Sequence, residues 1–255
     1  MMSNNFFIAL TETWIPVWAV VLACVLAYFA GNINPAILLG KAQGVDIRAQ
    51  GSGNAGATNA ARSLGKKAGI LTFAIDIAKG WLTCFLAWAI SNGVLNAIHA
   101  EGAIGAADES FVYAYSGILL GMLCGLFVIL GHMWPAVFGF KGGKGVSTTF
   151  GVLLFVNPLY ALSLFGIVII VTLIFRRVSL SVLIAVALGL IVIWQTGALT
   201  PGGNGRYFEV LYFQFVSWER IWVTIVFALI IWKHRANIAR LVRGQESKLS
   251  FGGKK

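Results

Sequence analysis

Long apolar blocks, separated by short polar segments, make up most of the chain. A helix that crosses the hydrocarbon core of a membrane needs about 20 predominantly apolar residues. Blocks of about that length occupy residues 14–31, 68–90, 112–131, 158–175, 179–197 and 218–233. The pattern therefore predicts an all-α integral membrane protein with at least six transmembrane helices.

A seventh apolar segment, STTFGVLLFV at 147–156, is shorter than a usual span. It can cross if it continues a helix that begins in the preceding loop, and Pro158 then begins the next helix. Including it gives seven transmembrane helices, which puts the two termini on opposite sides of the membrane. Because the connections are mostly short, we expect residues 1–255 to form a single membrane domain.

The composition agrees with a membrane protein. The chain has 255 residues, of which 58% are hydrophobic and 11% charged, whereas soluble domains average about 25% charged residues. Intrinsic disorder is excluded by the same hydrophobic content. The net charge of +10 would suggest a nucleic-acid partner in a soluble protein, but in a membrane protein it bears on orientation, and no nucleic-acid partner is expected.

The basic residues are distributed unevenly between the two predicted sides. If the N-terminus is outside, the inner segments hold 16 of the 19 Lys and Arg residues; the other three are Lys79, Arg206 and Arg220. The outer segments hold the acidic residues Glu12, Glu101, Asp108, Glu109, Glu209 and Glu219. Cytoplasmic segments carry the excess of Lys and Arg, so we predict a periplasmic N-terminus and a cytoplasmic C-terminus. The first basic residue is Lys41, so the first span is expected to be an uncleaved anchor.

Three polar segments interrupt the apolar pattern, all on the predicted cytoplasmic side. The first, GSGNAGATNAAR at 51–62, lies in a glycine-rich loop at 41–67. Its glycines allow the backbone N–H groups to approach a ligand closely, and its hydroxyl and amide side chains add donors. The segment is typical of a phosphate-binding loop; a flexible cytoplasmic turn is the alternative.

The second and third polar segments are basic. In GHMWPAVFGFKGGKGVST at 131–148, Lys141 and Lys144 flank a Gly-Gly pair within a loop at 132–146. This arrangement suits an anion, although lysines also anchor spans at the membrane interface. In the basic tail at 234–255, binding of anionic lipid head groups alone would explain the arginines. Asn237 is harder to explain in that way, because a surface anchor needs no amide.

Asp76 and Lys79 lie three residues apart on one face of the second span. A charge near the bilayer centre costs roughly 2.5–3.5 kcal/mol on insertion scales, so such residues face a partner or a cavity. A pair that orients the helix and a catalytic role both remain open.

Several kinds of catalytic site lack their usual residues. No HExxH or Cys/His cluster is present, so no metal and no cofactor are expected. Cys24, Cys84 and Cys124 each lie alone in an apolar stretch and are interpreted as core residues. No His is followed by Asp five residues later, and neither His132 nor His234 has a carboxylate at a local spacing that would orient it as a base.

Together, these segments resemble the bacterial acyl-phosphate:glycerol-3-phosphate acyltransferase family (PlsY). The resemblance rests on 51–62 with DIAKG at 76–80, on 131–148, and on HRANIARLVRGQE at 234–246, and it covers nearly the whole chain. Two departures are Ala55, where the family commonly has proline, and a long outer loop at 198–217.

The resemblance implies a multi-pass protein of the bacterial inner membrane with its active site facing the cytoplasm. Its substrates would be a long-chain acyl phosphate and glycerol 3-phosphate, and its products lysophosphatidic acid and phosphate, in phospholipid synthesis. The donor's own phosphate would take the hydroxyl proton, so that no protein base is needed. No obligatory protein partner is evident.

The resemblance also implies residue roles. Acyl phosphate would bind to Gly51, Ser52, Gly53, Asn54, Gly56, Ala57, Thr58 and Asn59. Glycerol 3-phosphate would bind to Arg62, Lys144, His234 and Asn237, with Lys141 and Arg235 raising the local positive potential. Ser52, Lys144 and Asn237 would be the catalytic residues.

Two other functions fit parts of the pattern. A transporter or channel for phosphate or a phosphorylated metabolite would also use glycine-rich loops and basic residues. Against it, no inverted repeat is detectable and the polar segments all lie on one predicted side. A structural or lipid-binding protein would explain the basic tail but not the loop at 51–62.

Overall fold

The computed structural model describes residues 16–100, 109–196 and 206–249. Within these ranges the regular structure is helical and no strand occurs. The helices are α1 (Val17–Asn32), α2 (Pro35–Ala42), α3 (Ala57–Ser63), α4 (Lys66–Ala100), α5 (Glu109–Met133), α6 (Val146–Val156), α7 (Pro158–Phe175), α8 (Val178–Thr196), α9 (Arg206–Lys233) and α10 (Arg235–Val242). Two short 3-10 turns cover Ile47–Ala49 and Ala136–Phe138.

Within the described residues the six long apolar blocks are helical, apart from Pro16, which precedes the first helix. Five segments are long and apolar enough to span a membrane: Val17–Ala42, Lys66–Gly93, Gly117–Phe138, Pro158–Phe175 and Val178–Gln195. A sixth is possible if Trp218–Lys233 and Arg235–Val242, which meet at a 57° bend, count as one span. The all-α multi-pass prediction is therefore confirmed at five to six spans, while seven spans and the orientation of the termini stay predictions.

Helix α6 differs from its expected form. It begins at Val146 and has 11 residues, and the residues before it, 141–145, are not helical. The helix is therefore not continued from the preceding loop, and its length of about 16 Å is roughly half the thickness of a hydrocarbon core. Its inner face packs closely on α4, where a Cβ at Gly151 would overlap the carbonyl oxygen of Ile77.

The starts of two helices, α2 and α7, follow from their sequence. Asn34 and Asn157 each precede a proline that occupies the first helical position. The side-chain oxygen of Asn34 accepts from the Ile37 N–H, and that of Asn157 accepts from the Tyr160 N–H at 2.8 Å. Such caps satisfy N–H groups that have no partner in the first helical turn. The predicted helix start at Pro158 is confirmed.

The chain packs as two compact units, Met1–Phe155 and Val156–Lys255. In the first, α1, α4 and α5 pack together, and one core cluster comprises Ala27, Ala87, Leu120 and Cys124. A second cluster, formed by α2, α3 and the loop between them, comprises Ala36, Ile37, Ile47, Ala55 and Ala60. The three cysteines are free and buried, as predicted.

The second unit contains α7 to α10, with buried apolar side chains such as Val186, Val223 and Phe227 at its centre. Large apolar side chains on α7, including Leu173 and Ile174, are exposed, as expected for a surface that faces lipid.

Some predictions fall outside the described residues. These include the outer acidic residues Glu12, Glu101 and Asp108, and the tail beyond residue 249. Of the long outer loop predicted at 198–217, residues 198–205 are also outside, and α9 begins at Arg206.

Candidate functional site

The loop at 51–59 is closed by a buried asparagine. Asn59 is 1% exposed, its Oδ1 accepts from the Ser52 N–H at 2.9 Å, and its Nδ2 donates to the carbonyls of Ile47 and Gln50 at 3.0 Å. Gly51 has φ +55°, and a Cβ there would overlap Asn59 Oδ1, so this turn requires glycine. The sequence predicts that Asn59 contacts acyl phosphate, whereas in the structure its side-chain oxygen and nitrogen form the hydrogen bonds that shape the loop.

Other predicted residues of this loop lie at its surface. Ser52 and Thr58 are exposed and Asn54 is half-buried. Arg62 is exposed on α3, and its Cδ would lie 3.5 Å from a Cβ at Gly51. The structure therefore brings Arg62 next to the loop that carries Ser52. Ala55 is fully buried, and its carbonyl accepts from Asn34 Nδ2 at 3.3 Å.

The two lysines of the second segment have different environments. Lys141 is exposed and Lys144 is half-buried. Between them, Gly143 is buried and its N–H donates to the carbonyl of His132 at 3.1 Å. The lysine loop, residues 141–145, is thereby tied to the end of α5, while α6 begins directly after it.

The two loops of the first unit contact each other. Arg48, whose guanidinium also pairs with Asp46 at 3.0 Å, donates from Nη1 to the carbonyl of Phe138 at 3.1 Å. The hydrogen bond from Arg48 holds the pKa of Asp46 below its usual range. Lys41 Nζ lies 5.1 Å from the centre of the Phe138 ring. The loops at 41–67 and 132–146, far apart in sequence, thus contact each other through Arg48, Lys41 and Phe138.

A buried charged cluster lies beneath these loops. Lys79 Nζ is 2.7 Å from Asp76 Oδ1, which confirms contact within the pair. The third member is His132 of α5, whose Nδ1 is 2.9 Å from Lys79 Nζ and 3.3 Å from Asp76 Oδ1. Sequence reasoning found no carboxylate for His132, because it considered only local spacings and the carboxylate comes from another helix.

The third polar segment folds around Glu246 in the second unit. Its carboxylate accepts from Ser179 Oγ at 2.6 Å, from Asn237 Nδ2 at 2.6 Å and from Arg240 Nε at 2.7 Å. Burial raises the pKa of Glu246, but the three hydrogen bonds together lower it by more than burial raises it. The pKa of Glu246 therefore lies below its usual range. Sequence reasoning missed both Glu246 and Ser179. The available signal was that Glu246 is the one acidic residue in a basic tail.

The remaining predicted residues of this segment lie at the bend between α9 and α10. His234 is buried, and its Nδ1 is 2.8 Å from the carbonyl oxygen of Ile230. Arg235 is exposed; its guanidinium lies 4.2 Å from the centre of the Trp232 ring and donates to the Trp232 carbonyl at 3.1 Å. Asn237 is buried against Glu246.

Metal chemistry has no obvious ligands in the described part of the chain, where no group of three or more His, Cys, Asp or Glu side chains is placed to hold an ion. The chemistry available to these loops is instead the binding of anions by ammonium, guanidinium, hydroxyl and backbone N–H groups.

Comparison with known proteins identifies the family. A family model described as glycerol-3-phosphate acyltransferase matches residues 21–244. Among curated proteins, the chain is 40% identical over 237 residues to a glycerol-3-phosphate acyltransferase of Chlorobaculum tepidum, covering 90% of this chain and 96% of that protein. It is 35% identical over 236 residues to one of Clostridioides difficile, covering 91% and 97%.

Solved structures agree. The chain resembles crystal structures of PlsY, an integral membrane glycerol 3-phosphate acyltransferase, in its glycerol 3-phosphate form and its lysophosphatidic acid form, with TM-scores of 0.69 and 0.66. Both are 32% identical, and the match covers 91% of this chain and 96% of each structure. The three polar segments all lie within or overlap the matched region, and the chain belongs to the glycerol-3-phosphate acyltransferase family.

Proposed function

We propose that the protein transfers a fatty acyl group from acyl phosphate to the 1-hydroxyl of glycerol 3-phosphate, giving lysophosphatidic acid and phosphate. The observation that carries the proposal is the contact in the first unit between the glycine-rich loop at 41–67 and the loop at 132–146, which holds both lysines, through Arg48 and Phe138. Two phosphate-bearing substrates need two sets of anion-binding groups close together, and family membership supplies the acceptor, glycerol 3-phosphate. No observation favours transport.

Acyl phosphate is assigned to the glycine-rich loop. Gly51 and Gly53 both have positive φ, which turns the backbone tightly and lets a ligand approach it closely; the N–H of Gly53 itself donates to the Gln50 carbonyl inside the loop. Ser52, Asn54 and Thr58 supply side-chain donors, while Asn59 keeps the loop closed. In this proposal the remaining loop residues, Gly56 and Ala57, contribute backbone alone.

Glycerol 3-phosphate is assigned to basic residues. In the first unit, Arg62 and Lys144 bind its phosphate and Lys141 adds positive potential. For His234, Arg235 and Asn237 of the second unit the assignment rests on the family likeness. The buried amide of Asn237 is held by Glu246, as a group that orients a substrate hydroxyl should be.

The reaction needs little covalent help from the protein. The 1-hydroxyl oxygen forms an ester bond with the acyl carbon while the bond from that carbon to the phosphate oxygen breaks, and the departing phosphate takes the hydroxyl proton. Ser52, Lys144 and Asn237 orient the reactants and stabilise negative charge on the carbonyl oxygen. Orientation and electrostatic stabilisation are large sources of rate acceleration. The acyl tail stays in the bilayer, with the reaction at the cytoplasmic face of a bacterial inner membrane.

The test is phosphate release by the purified protein in lipid nanodiscs, given palmitoyl phosphate with and without glycerol 3-phosphate. Palmitoyl-CoA replaces the donor in a parallel reaction, which is followed by the formation of lysophosphatidic acid because this donor releases CoA and no phosphate. We expect release to require both substrates and lysophosphatidic acid to appear at the same rate. Turnover with palmitoyl-CoA alone as donor would contradict the assigned donor, and no turnover by the folded protein with either donor would contradict acyl transfer.

A further inference from the structure

The proposed reaction makes no use of the charged cluster formed by Asp76, Lys79 and His132. The three side chains are 1%, 8% and 2% exposed and come from α4 and α5. Lys79 and His132 are 53 residues apart in sequence. A buried ion pair seldom stabilises a fold more than well-packed apolar residues of similar size do. The cluster therefore calls for another explanation.

The contacts of Lys79 and Asp76 fix the orientation of the His132 ring. Lys79 Nζ lies 2.7 Å from Asp76 Oδ1, 2.7 Å from the Ile33 carbonyl oxygen and 2.9 Å from His132 Nδ1. His132 Nδ1 also lies 3.3 Å from Asp76 Oδ1, and Lys79 Nζ lies 3.4 Å from the Gly31 carbonyl oxygen. Asp76 and Lys79 therefore contact the same nitrogen of the ring and fix its orientation.

The opposite edge of the His132 ring lies against the lysine loop. A Cβ at Gly143 would overlap His132 Nε2 and lie 2.7 Å from Cε1 and 2.9 Å from the Ala55 carbonyl oxygen. The Gly143 N–H also donates to the His132 carbonyl. His132 thus contacts Gly143 through both its ring and its backbone, and Ala55 of the glycine-rich loop borders the same space.

We propose that the cluster of Asp76, Lys79 and His132 is a positioning device, in which Lys79 locks His132 and the His132 ring sets the position of Gly143 and hence of Lys144. Asp76 and Lys79 hold the ring from one side, and the loop packs on its other side. Active-site groups must be held to within roughly 0.5 Å to work efficiently. The part of this inference that concerns catalysis rests on the proposed function; the part that concerns the loop does not.

The direct test is amide hydrogen exchange of a peptide that covers residues 139–146, measured in nanodiscs without substrate. The first variant is His132→Asn, because the Asn oxygen branches from Cγ as Nδ1 does and can still accept from Lys79, while the ring edge at Gly143 is removed. We expect at least about tenfold faster exchange in the lysine loop, a factor that corresponds to about 1.4 kcal/mol, with the melting temperature little changed.

A second variant guards against loss of folding. Lys79→Met alone leaves the Asp76 carboxylate buried and uncompensated, which is strongly destabilising. The double variant Asp76→Asn/Lys79→Met removes both charges, and we expect it to fold and to show the same faster exchange. Lys66→Met, at an exposed position where α4 begins, is the matched control and should exchange as the original protein does.

Kinetics separate positioning from a general structural role. We expect His132→Asn to raise KM for glycerol 3-phosphate and lower kcat, with KM for acyl phosphate little changed. Gly143→Ala displaces the same loop, so combining it with His132→Asn should cost far less than the product of the two single effects. Gly93→Ala, where a Cβ would meet nothing within 4 Å, is its control.

Exchange of the lysine loop that stays unchanged in His132→Asn and in the folded double variant would overturn the inference, whether or not the protein transfers acyl groups. Multiplicative kinetic effects of His132→Asn and Gly143→Ala would overturn it as well. Faster loop exchange in a protein that does not use acyl phosphate would keep the inference and contradict the proposed function.

Discussion

Asn237 donates its side-chain amide to Glu246, with 2.6 Å between Nδ2 and Oε1. An amide nitrogen carries two hydrogens, and the bond to Glu246 uses one of them and fixes the rotation of the amide plane. The same Glu246 oxygen accepts from Ser179 of α8, so α8, α10 and the segment after α10 are fixed to one carboxylate. The orientation of a proposed catalytic residue thus depends on a residue outside the proposed catalytic set.

We expect Glu246→Ala to lower both stability and activity. The change removes the acceptor of Ser179, Asn237 and Arg240, and hydrogen bonds to charged groups contribute roughly 1.5–3 kcal/mol each. Because Arg240 is partly exposed, we expect a total loss of about 2–3 kcal/mol in the free energy of unfolding. Thermal melting in detergent measures it. Gln245→Ala, at the exposed neighbouring position, should melt like the original protein.

The stability of the protein should fall at acidic pH in part through Glu246. Its pKa lies below the usual range in the folded protein, so its stabilising contribution is complete above about pH 4.3, the ordinary glutamate value, and is lost as the pH falls through the lower folded value. We expect the difference in melting temperature between the original protein and Glu246→Gln to shrink over that window. A difference that grows as the pH falls would contradict this assignment.

Lys144 and Lys141 should differ in their effect on turnover. Lys144 is half-buried beside Gly143, whereas Lys141 is exposed. We expect Lys144→Ala to lower kcat by about 100-fold or more, as removal of a donor to developing charge does. Lys141→Ala should raise KM for glycerol 3-phosphate roughly two- to fivefold, in proportion to a screened surface charge. Full activity of a well-folded Lys144→Ala variant would remove this lysine from the mechanism.

Variants of Ser52 and Asn59 should distinguish an effect on substrate binding from an effect on the structure of the loop. Ser52→Ala removes an exposed hydroxyl, and we expect KM for acyl phosphate to rise about tenfold or more, with KM for glycerol 3-phosphate less affected. Asn59→Ala removes three hydrogen bonds that close the loop, so both KM values should rise and the protein should be less stable. Steady-state kinetics with each substrate varied in turn tests this. An effect of Ser52→Ala confined to glycerol 3-phosphate would mean that the two sites are exchanged.

Gly151→Ala should destabilise the contact of α6 with α4. The added Cβ overlaps the Ile77 carbonyl oxygen, and helix backbones in such close contact must separate, at a cost of about 1–3 kcal/mol. Gly166→Ala on α7 meets nothing within 4 Å and should be neutral or stabilising by up to about 1 kcal/mol, given the helix propensity of alanine. Equal melting temperatures of the two variants would contradict this packing.

Local pattern predicted several features correctly, although α6 does not extend into the preceding loop. Apolar block length predicted the long helices, and Pro158 marked the start of α7. The spacing of Asp76 and Lys79 gave their contact, because residues three apart share a helix face.

The relationships that sequence reasoning missed are long-range. Neither His132 against Asp76 nor Ser179 against Glu246 has a periodic signal, since helix packing alone brings them together. The structural role of Asn59 was hidden for another reason. An amide in a glycine-rich loop has the same appearance in sequence whether it faces a ligand or its own backbone.

The contact of Lys79 with the end of α1 bears on the order of biosynthesis. As α1 leaves the ribosome and enters the membrane, the carbonyl of Ile33 has no ammonium partner, because Lys79 is synthesised 46 residues later. An unsatisfied carbonyl is costly where water is scarce, so α1 should remain near the interface or the insertion machinery until α4 arrives. We therefore expect insertion of α1 to be completed only when Lys79 of α4 reaches its C-terminal end.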